Sequence, residues 1–338
     1  MKTLAIDDPR WSDFVSARTD ATLFHHPVWS ELLRDCYGYP AMALALTDSS
    51  GAIVAGLPVI DVSLPIARRR WVSLPFTDHS APLVGSSAAD LVAALRDLAR
   101  SAKFGALEIR APLPVELGVQ SQTAFVRHAL PLSGDVRSIW KALRRNHRRS
   151  VADAEEEGVR VERGTTAAAI EVFYRLHVQT RRRLGVPVQP RRFFRLLLER
   201  VVAPGLGFVL TAYRGDMPVA AAVFCGWNGS LICKYSARAD GATKLDAIHL
   251  LFWSAIRWGS ENGYHTFDLG RSGTDQAQLR SFKTGWGARE IPLPYSWIGT
   301  ARIRPSARRL HGALGLVIRN SAPWLCRATG ELLYRYAT

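Results

Sequence analysis

Apolar and polar positions along this chain fall into one order of elements, and the order occurs twice. In the first half, alternation predicts strands over Ala41–Leu46 and Ala52–Val62, with the turn Asp48-Ser49-Ser50-Gly51 between them. A third strand over Arg70–Leu74, a helix of 3.6-residue period over Ala88–Lys103 and a strand from Gly105 to Arg110 follow. The second half repeats this: strands over Gly207–Tyr213 and Met217–Cys225 about Arg214-Gly215-Asp216, a return strand over Leu231–Ser236, a helix over Leu245–Asn262 and a strand opening at Gly263. Asn228-Gly229 predicts a tight hairpin, because both positions favour positive φ. The shared order of five elements points to a duplicated α/β unit with mixed sheets.

Between the halves the pattern predicts helices over Arg137–Gly158, Ala168–Leu184 and Arg191–Val202, the last two separated by Pro187 and Pro190. After residue 305 it predicts a basic amphipathic tail with Leu310, Leu314, Val317 and Ile318 on one face. Such a tail either packs on its own domain or offers peripheral contact to an anionic membrane surface.

Charge divides the chain unevenly. Residues 1–136 hold 12 Lys+Arg and 14 Asp+Glu, a balance of −2, whereas residues 137–338 hold 32 and 15, a balance of +17. The basic excess points to an anionic partner such as RNA or a diphosphate. It concentrates in Arg137, Lys141, Arg144, Arg145, Arg148 and Arg149, and in the arginines of 175–200. On one continuous helix, Lys141, Arg144, Arg145 and Arg148 would share a face able to hold phosphates.

Other classes of chemistry find no support. Cys36, Cys225, Cys233 and Cys326 form no CxxC pair and no histidine cluster has zinc spacing, so a structural metal is not expected. Cys225 and Cys233 could meet across a hairpin, but reduced core thiols fit a cytoplasmic chain better. No apolar run is long enough for a membrane span or a signal peptide. There is no dinucleotide fingerprint, P-loop, kinase set or nucleophile elbow, and His25-His26 before Pro27 reads as structural. With no nucleophile in view, direct transfer to an acceptor is favoured over a covalent enzyme intermediate.

The most specific stretches lie late in the chain: Phe267-Asp268-Leu269-Gly270-Arg271-Ser272, then Phe282-Lys283 and Trp286-Gly287. With Trp140, Leu143-Arg144, Phe173-Tyr174 and Pro190-Arg191-Arg192-Phe193-Phe194, and with His26-Pro27-Val28-Trp29 and Leu74-Pro75-Phe76-Thr77-Asp78 upstream, the chain resembles the FemABX family over roughly residues 20–300. The resemblance implies two tandem GNAT-like domains (residues 1–136 and 137–300, then the tail 301–338) without the long coiled-coil arm of some members. It implies transfer of an amino acid from aminoacyl-tRNA to an amine, in peptidoglycan or natural-product synthesis, with no cofactor. Lys283 would stabilise the oxyanion, Phe282 would position the donor through its backbone, and Asp78 would lie near the acceptor. Arg191 or Arg192 would hold the acceptor's diphosphate. A lysine expected on the first long helix is Leu33 here, with Arg34 beside it, a departure that weakens the case for a nucleotide-linked acceptor. Tyr235 and Arg271 are expected in the cleft. The rival is an acyl-CoA-dependent N- or O-acyltransferase of the cell envelope, for which Arg238-Ala239-Asp240-Gly241-Ala242 is a partial, glycine-poor match to a CoA loop.

Overall fold

The computed structural model describes residues 1–64, 67–85, 87–101, 105–132, 135–299 and 315–336. Its strands are β1 (Lys2–Ala5), β2 (Ala41–Thr47), β3 (Ile53–Leu64), β4 (Ala67–Val72), β5 (Leu83–Val84), β6 (Ala106–Ile109), β7 (Val119–Pro131), β8 (Val159–Gly164), β9 (Gly207–Arg214), β10 (Met217–Trp227), β11 (Ser230–Arg238), β12 (Thr266–Gly273) and β13 (Arg289–Gly299). The helices are α1 (Pro9–Ser16), α2 (Pro27–Tyr37), α3 (Ala88–Ser101), α4 (Val136–Ala142), α5 (Arg145–Glu156), α6 (Ala167–Leu184), α7 (Arg191–Leu197), α8 (Ala247–Glu261), α9 (Ala277–Thr284), α10 (residues 315–320) and α11 (Pro323–Leu333).

All strands join one mixed sheet in the order β1-β2-β3-β4-β6-β13-β7-β12-β11-β10-β9-β8, with β5 beside β3. The repeat seen in the sequence is real. β2-β3-β4-α3-β6 and β9-β10-β11-α8-β12 run in the same order, and each unit ends in a parallel pair. Those two pairs are brief: β4 and β6 stay in register from Arg70↔Ala106 to Val72↔Glu108, and β11 and β12 from Ser230↔Thr266 to Ile232↔Asp268. Beyond those points the parallel registers end, although Ser73 N still donates to Glu108 O at 2.8 Å and Ser73 Oγ accepts from Arg110 N at 2.9 Å. The halves also exchange strands: β13, late in the chain, fills the place between β6 and β7, and β7 pairs with β12.

Alternation along β10 shows how the sheet is covered. Ala221, Val223 and Cys225 join the core beneath α2, α6 and α7, with Trp29, Phe173, Phe193 and Phe194. Ala220, Ala222 and Phe224 join the core beneath α8, with Leu251, Ile256, Phe267 and Trp286. Each such large apolar side chain contributes about 1.5–3 kcal/mol on burial. Cys225 and Cys233 therefore belong to opposite faces, and both remain free thiols. Asn228 (φ 49°) and Gly229 (φ 72°) make the expected hairpin turn. His26 caps α2 by accepting from Val28 N at 3.2 Å, with Pro27 in its first turn, and His25 Nε2 lies 2.7 Å from Ala81 O. Both histidines are thus structural.

Four expectations are corrected. The helix predicted over Arg137–Gly158 is two helices, because Leu143 turns extended (ψ 144°) to bury itself in the α8 core and Arg144 N bonds Gly285 O instead. Lys141 and Arg145 consequently stand on different helices and share no helical face. The third strand stops at Val72, since Leu74 adopts φ 61°. The helix over Arg191–Val202 changes to π-type hydrogen bonding at Leu198. In the tail, Leu310 and Leu314 lie outside the described residues, while Ile318 turns inward and Val317 outward. α11 packs by Cys326 and Gly330, the latter so tightly that a Cβ there would lie 2.0 Å from Val188 O. No helix among the described residues is long and apolar enough to cross a membrane.

Candidate active site

The loop after β4 meets β11 and β12, and irregular backbone on both sides of that contact aims side chains into it. Val223 of β10 pairs with Tyr235 and the next residue, Phe224, with Cys233, so Lys234 is an extra, bulged residue. A bulge breaks the in–out alternation and re-aims its side chain. Lys234 Nζ lies 5.4 Å from the ring centres of Phe24, Trp29 and Tyr235, a box of π faces suited to a cation. β12 carries a second irregularity, between Asp268 and Arg271, where Gly270 takes φ 71°. Any Cβ at Gly270 would lie 2.6 Å from Asp78 Oδ2, so glycine is required for this close approach.

Asp78 ends a strained loop. Leu74 and Phe76 both have φ 61°, a conformation that costs bulky residues about 1–3 kcal/mol each. Three successive carbonyls hold it there through side chains from three parts of the sheet. Lys234 Nζ donates to Phe76 O at 3.0 Å, Arg110 Nη1 to Thr77 O at 2.8 Å and Tyr295 Oη to Asp78 O at 2.6 Å. Trp29 Nε1 adds a bond to Thr77 Oγ1 at 2.9 Å.

Beneath the loop lies a buried carboxylate. Asp268 accepts from His79 Nε2 at 2.9 Å, Arg127 Nε at 2.8 Å and Gly270 N at 2.7 Å. Burial alone would raise its pKa, but these donors outweigh burial and hold it well below the usual carboxylate range. Burial likewise pushes Asp78 up, and the charges of Lys234 and Arg271 overcome it, leaving the pKa below the ordinary value.

Lys283, on α9, is 7% exposed. Its Nζ donates to Gly270 O at 3.2 Å and Arg271 O at 2.7 Å, which uses two of the three ammonium protons. Burial lowers its pKa, opposed by the negative charge of Asp78. Arg271 bonds the Tyr295 hydroxyl, lies 4.2 Å from the Phe125 ring centre and approaches Asp78 Oδ1 to 3.7 Å.

The structure therefore brings Lys283, Asp78 and Arg271 together around Gly270, and Tyr235 joins them as a wall of the Lys234 box. Tyr235 also packs on Phe193, Phe194 and His177, and burial raises its phenol pKa. Arg34 is not brought in: it is spent on Asp35 at 2.9 Å. Arg191 and Arg192 line a separate cavity of about 430 Å³ with Tyr174, Glu171 and Glu331, and Arg191 is paired to Glu171 at 2.6 Å. Phe282 presents its carbonyl to His147 Nε2 at 2.8 Å, and its ring lines a cavity of about 270 Å³ at the head of α8.

Among the basic residues, Arg137, Lys141, Arg144, Arg145 and Arg149 are exposed. Arg149 has Asp153 at 3.5 Å, whereas Arg148 is tied to Lys141 O and Leu143 O, and Arg144 to Ser281. Lys234, Arg110, His79 and Tyr295 were not anticipated from sequence. No motif marks them, since a bulge and a strand exchange bring them in.

Residues 141–283 match the acetyltransferase (GNAT) domain family. The whole structure is similar to that of FemX, with a TM-score of 0.70 at 13% identity over 93% of this chain and 100% of that one. It is similar also to L-PGS from Bacillus licheniformis (TM-score 0.57, 14% identity, 94% and 99% covered) and to a tandem GNAT protein from the clavulanic acid biosynthesis pathway (0.52, 13%, 90% and 99%). No curated protein sequence matches significantly. The chain thus has the tandem GNAT-like acyltransferase fold that the family resemblance implied, and its duplicated pattern agrees with it.

Proposed function

We propose that this chain is an aminoacyltransferase that moves an amino acid from aminoacyl-tRNA to an amine acceptor. The observation that carries the reading is Lys283: a buried cation, fixed by two carbonyls, with one N–H left for a ligand oxygen. Such a fixed donor stabilises the oxyanion that forms when an amine attacks an ester carbonyl. In that step the amine nitrogen bonds the aminoacyl carbon, the bond from that carbon to the ribose oxygen breaks, and a proton passes from the amine to the departing oxygen. The amine attacks in its neutral form, and no covalent enzyme intermediate forms.

Asp78 serves this reaction as an anchor for the acceptor. A carboxylate held below its ordinary pKa is a weak base near neutrality, but its charge attracts an arriving ammonium, which releases its extra proton to water before it attacks. The clamped loop fixes where that charge stands, which is the preorganisation that proximity effects require. The donor's RNA has a path along the exposed cations of α4 and α5, since Arg144 and His147 join α5 to α9, the helix of Lys283.

The GNAT match keeps an acyl-CoA donor as the second reading, and the cavity at the head of α8 is where its diphosphate would lie. Asp246 opens α8 there without capping it, an acid set against a bound diphosphate.

The deciding experiment offers the protein labelled bulk aminoacyl-tRNA or acyl-CoA, each with a panel of amines. Loss of label from one aminoacyl-tRNA, with a new amide and a steep salt dependence, supports the proposal. Lys283→Ala should then lower turnover by about 10²–10³ while tRNA binding persists. Transfer from acyl-CoA alone refutes it.

A further inference from the structure

The outer side of α4 holds a cavity that the chemistry above does not use. It measures about 400 Å³ and is lined by Trp140, Trp253, Val151, Arg137, Lys141 and Glu155. The two indoles form its wall, with ring centres 4.6 Å apart and planes tilted by 51°. Trp253 is nearly buried and Trp140 only half-buried. The break at Leu143 ends α4 just after this tryptophan.

The rim is polar, and of its cations Arg137 feels the charge of Asp135. Arg137 and Lys141 are four residues apart on α4, both exposed, and neither side chain has a salt-bridge partner among the described residues. Glu155, on α5, is also exposed without a basic partner there. An aromatic floor, two cations and one carboxylate select a flat ring that stacks, bears N–H donors and carries phosphates beside it. A sugar diphosphate offers a C–H face without a planar π ring or N–H donors, and a lipid phosphate lacks both the ring and its donors.

We propose that this cavity is a nucleobase-binding site for single-stranded RNA. One unstacked base lies against Trp140, and Arg137 and Lys141 hold the adjacent phosphates. Glu155 accepts from an amino group of the base, which favours adenine, cytosine or guanine over uracil. The site stands on the helix pair that Arg144 and His147 fasten to α9, so RNA held here lies on the elements that position Lys283. The inference builds on the aminoacyl-tRNA reading for the origin of the RNA, but the site itself is tested without any transfer reaction.

The test uses fluorescently labelled oligoadenylate, oligocytidylate, oligouridylate and an abasic strand of equal length, titrated into the whole protein. Adenine and cytosine strands should bind about tenfold or more tighter than the abasic strand, and tighter than the uracil strand. Trp140→Ala should remove that advantage and Trp140→Phe should keep most of it. Arg137→Ala with Lys141→Ala should weaken every strand alike and lower the salt slope by about two. Because both rim residues are exposed, that pair tests the site even if Trp140→Ala disturbs folding. Equal binding of abasic and normal strands, indifference to Trp140, or no RNA binding overturns the site. Base-dependent binding without aminoacyl transfer leaves it standing and removes only the proposed reaction.

Discussion

Replacing Asp268 by asparagine tests the carboxylate that ties the loop before His79 to β7 and β12. Asp268 is 1% exposed at its side chain and accepts three hydrogen bonds, two on Oδ2 and one on Oδ1. An asparagine has one acceptor oxygen. If it takes the place of Oδ2, the bonds from His79 and Arg127 survive, but the amide NH₂ then meets Gly270 N–H donor to donor. The reverse orientation strands His79 and Arg127 instead. Leaving a buried donor unsatisfied costs about 1–3 kcal/mol. Removing the charge opposite Arg127 adds to that, discounted because Arg127 is 26% exposed and water screens it. The sum is about 2–4 kcal/mol. Urea unfolding at neutral pH should show a lower midpoint with an unchanged slope.

The pH dependence supplies a second readout. A carboxylate held below its ordinary pKa stabilises the fold above the unfolded value, about 4, and that contribution is lost as the pH falls through the native value. The gap between Asp268→Asn and the parent protein should therefore narrow in acid. A variant within about 0.5 kcal/mol of the parent, or a gap that does not depend on pH, would refute this account of the site.

Lys234→Met retains the bulk inside the aromatic box but removes the donor to Phe76 O, so stability should fall by about 1–3 kcal/mol in denaturant titration; no loss would mean the loop needs no clamp. His25 and His177 are buried neutral, and burial holds their pKa values at about 4 and about 3, below the ordinary 6.5. Below about pH 6.5 the unfolded chain binds protons that the native state refuses, so stability should decline from there towards pH 4. A flat profile of unfolding free energy across that interval would contradict their burial. Arg145→Glu with Arg149→Glu, at exposed positions, should leave the melting temperature nearly unchanged and weaken tRNA binding, most visibly at low salt. Unaltered binding in a filter assay would move the RNA path off α5.

The duplicated unit could be read from the sequence because its strands and helices obey simple periods and its turns carry glycine and Asn-Gly. Lys283 stood out through the aromatics and glycines around it, whereas Asp78 was reached only through the family resemblance. What escaped was the part that depends on distant pairing. Lys234 looks like one more polar residue in a hairpin strand until the bulge turns it inward. β7 and β13 carry weak alternation and depend on each other and on β6 and β12 for their places. The break after α4 is invisible to periodicity, because the pull on Leu143 comes from a core assembled a hundred residues later. Arg191 and Arg192, expected from the resemblance to hold a diphosphate, line a cavity apart from Lys283, with Glu171 paired to the first of them.

The placement of β13 also bears on how the protein is made. β6 is complete by Ile109, but its neighbour on the far side begins only at Arg289. For most of translation the amino-terminal unit carries an unsatisfied strand edge at β6, the kind of edge that invites pairing with another chain. Ribosome-bound fragments ending before Arg289 should remain protease-sensitive, and those extending past Gly299 should gain resistance in both halves at once. Neither half can become an independent module by a cut between them, and the last stretch of the sheet to leave the ribosome is the one that closes both.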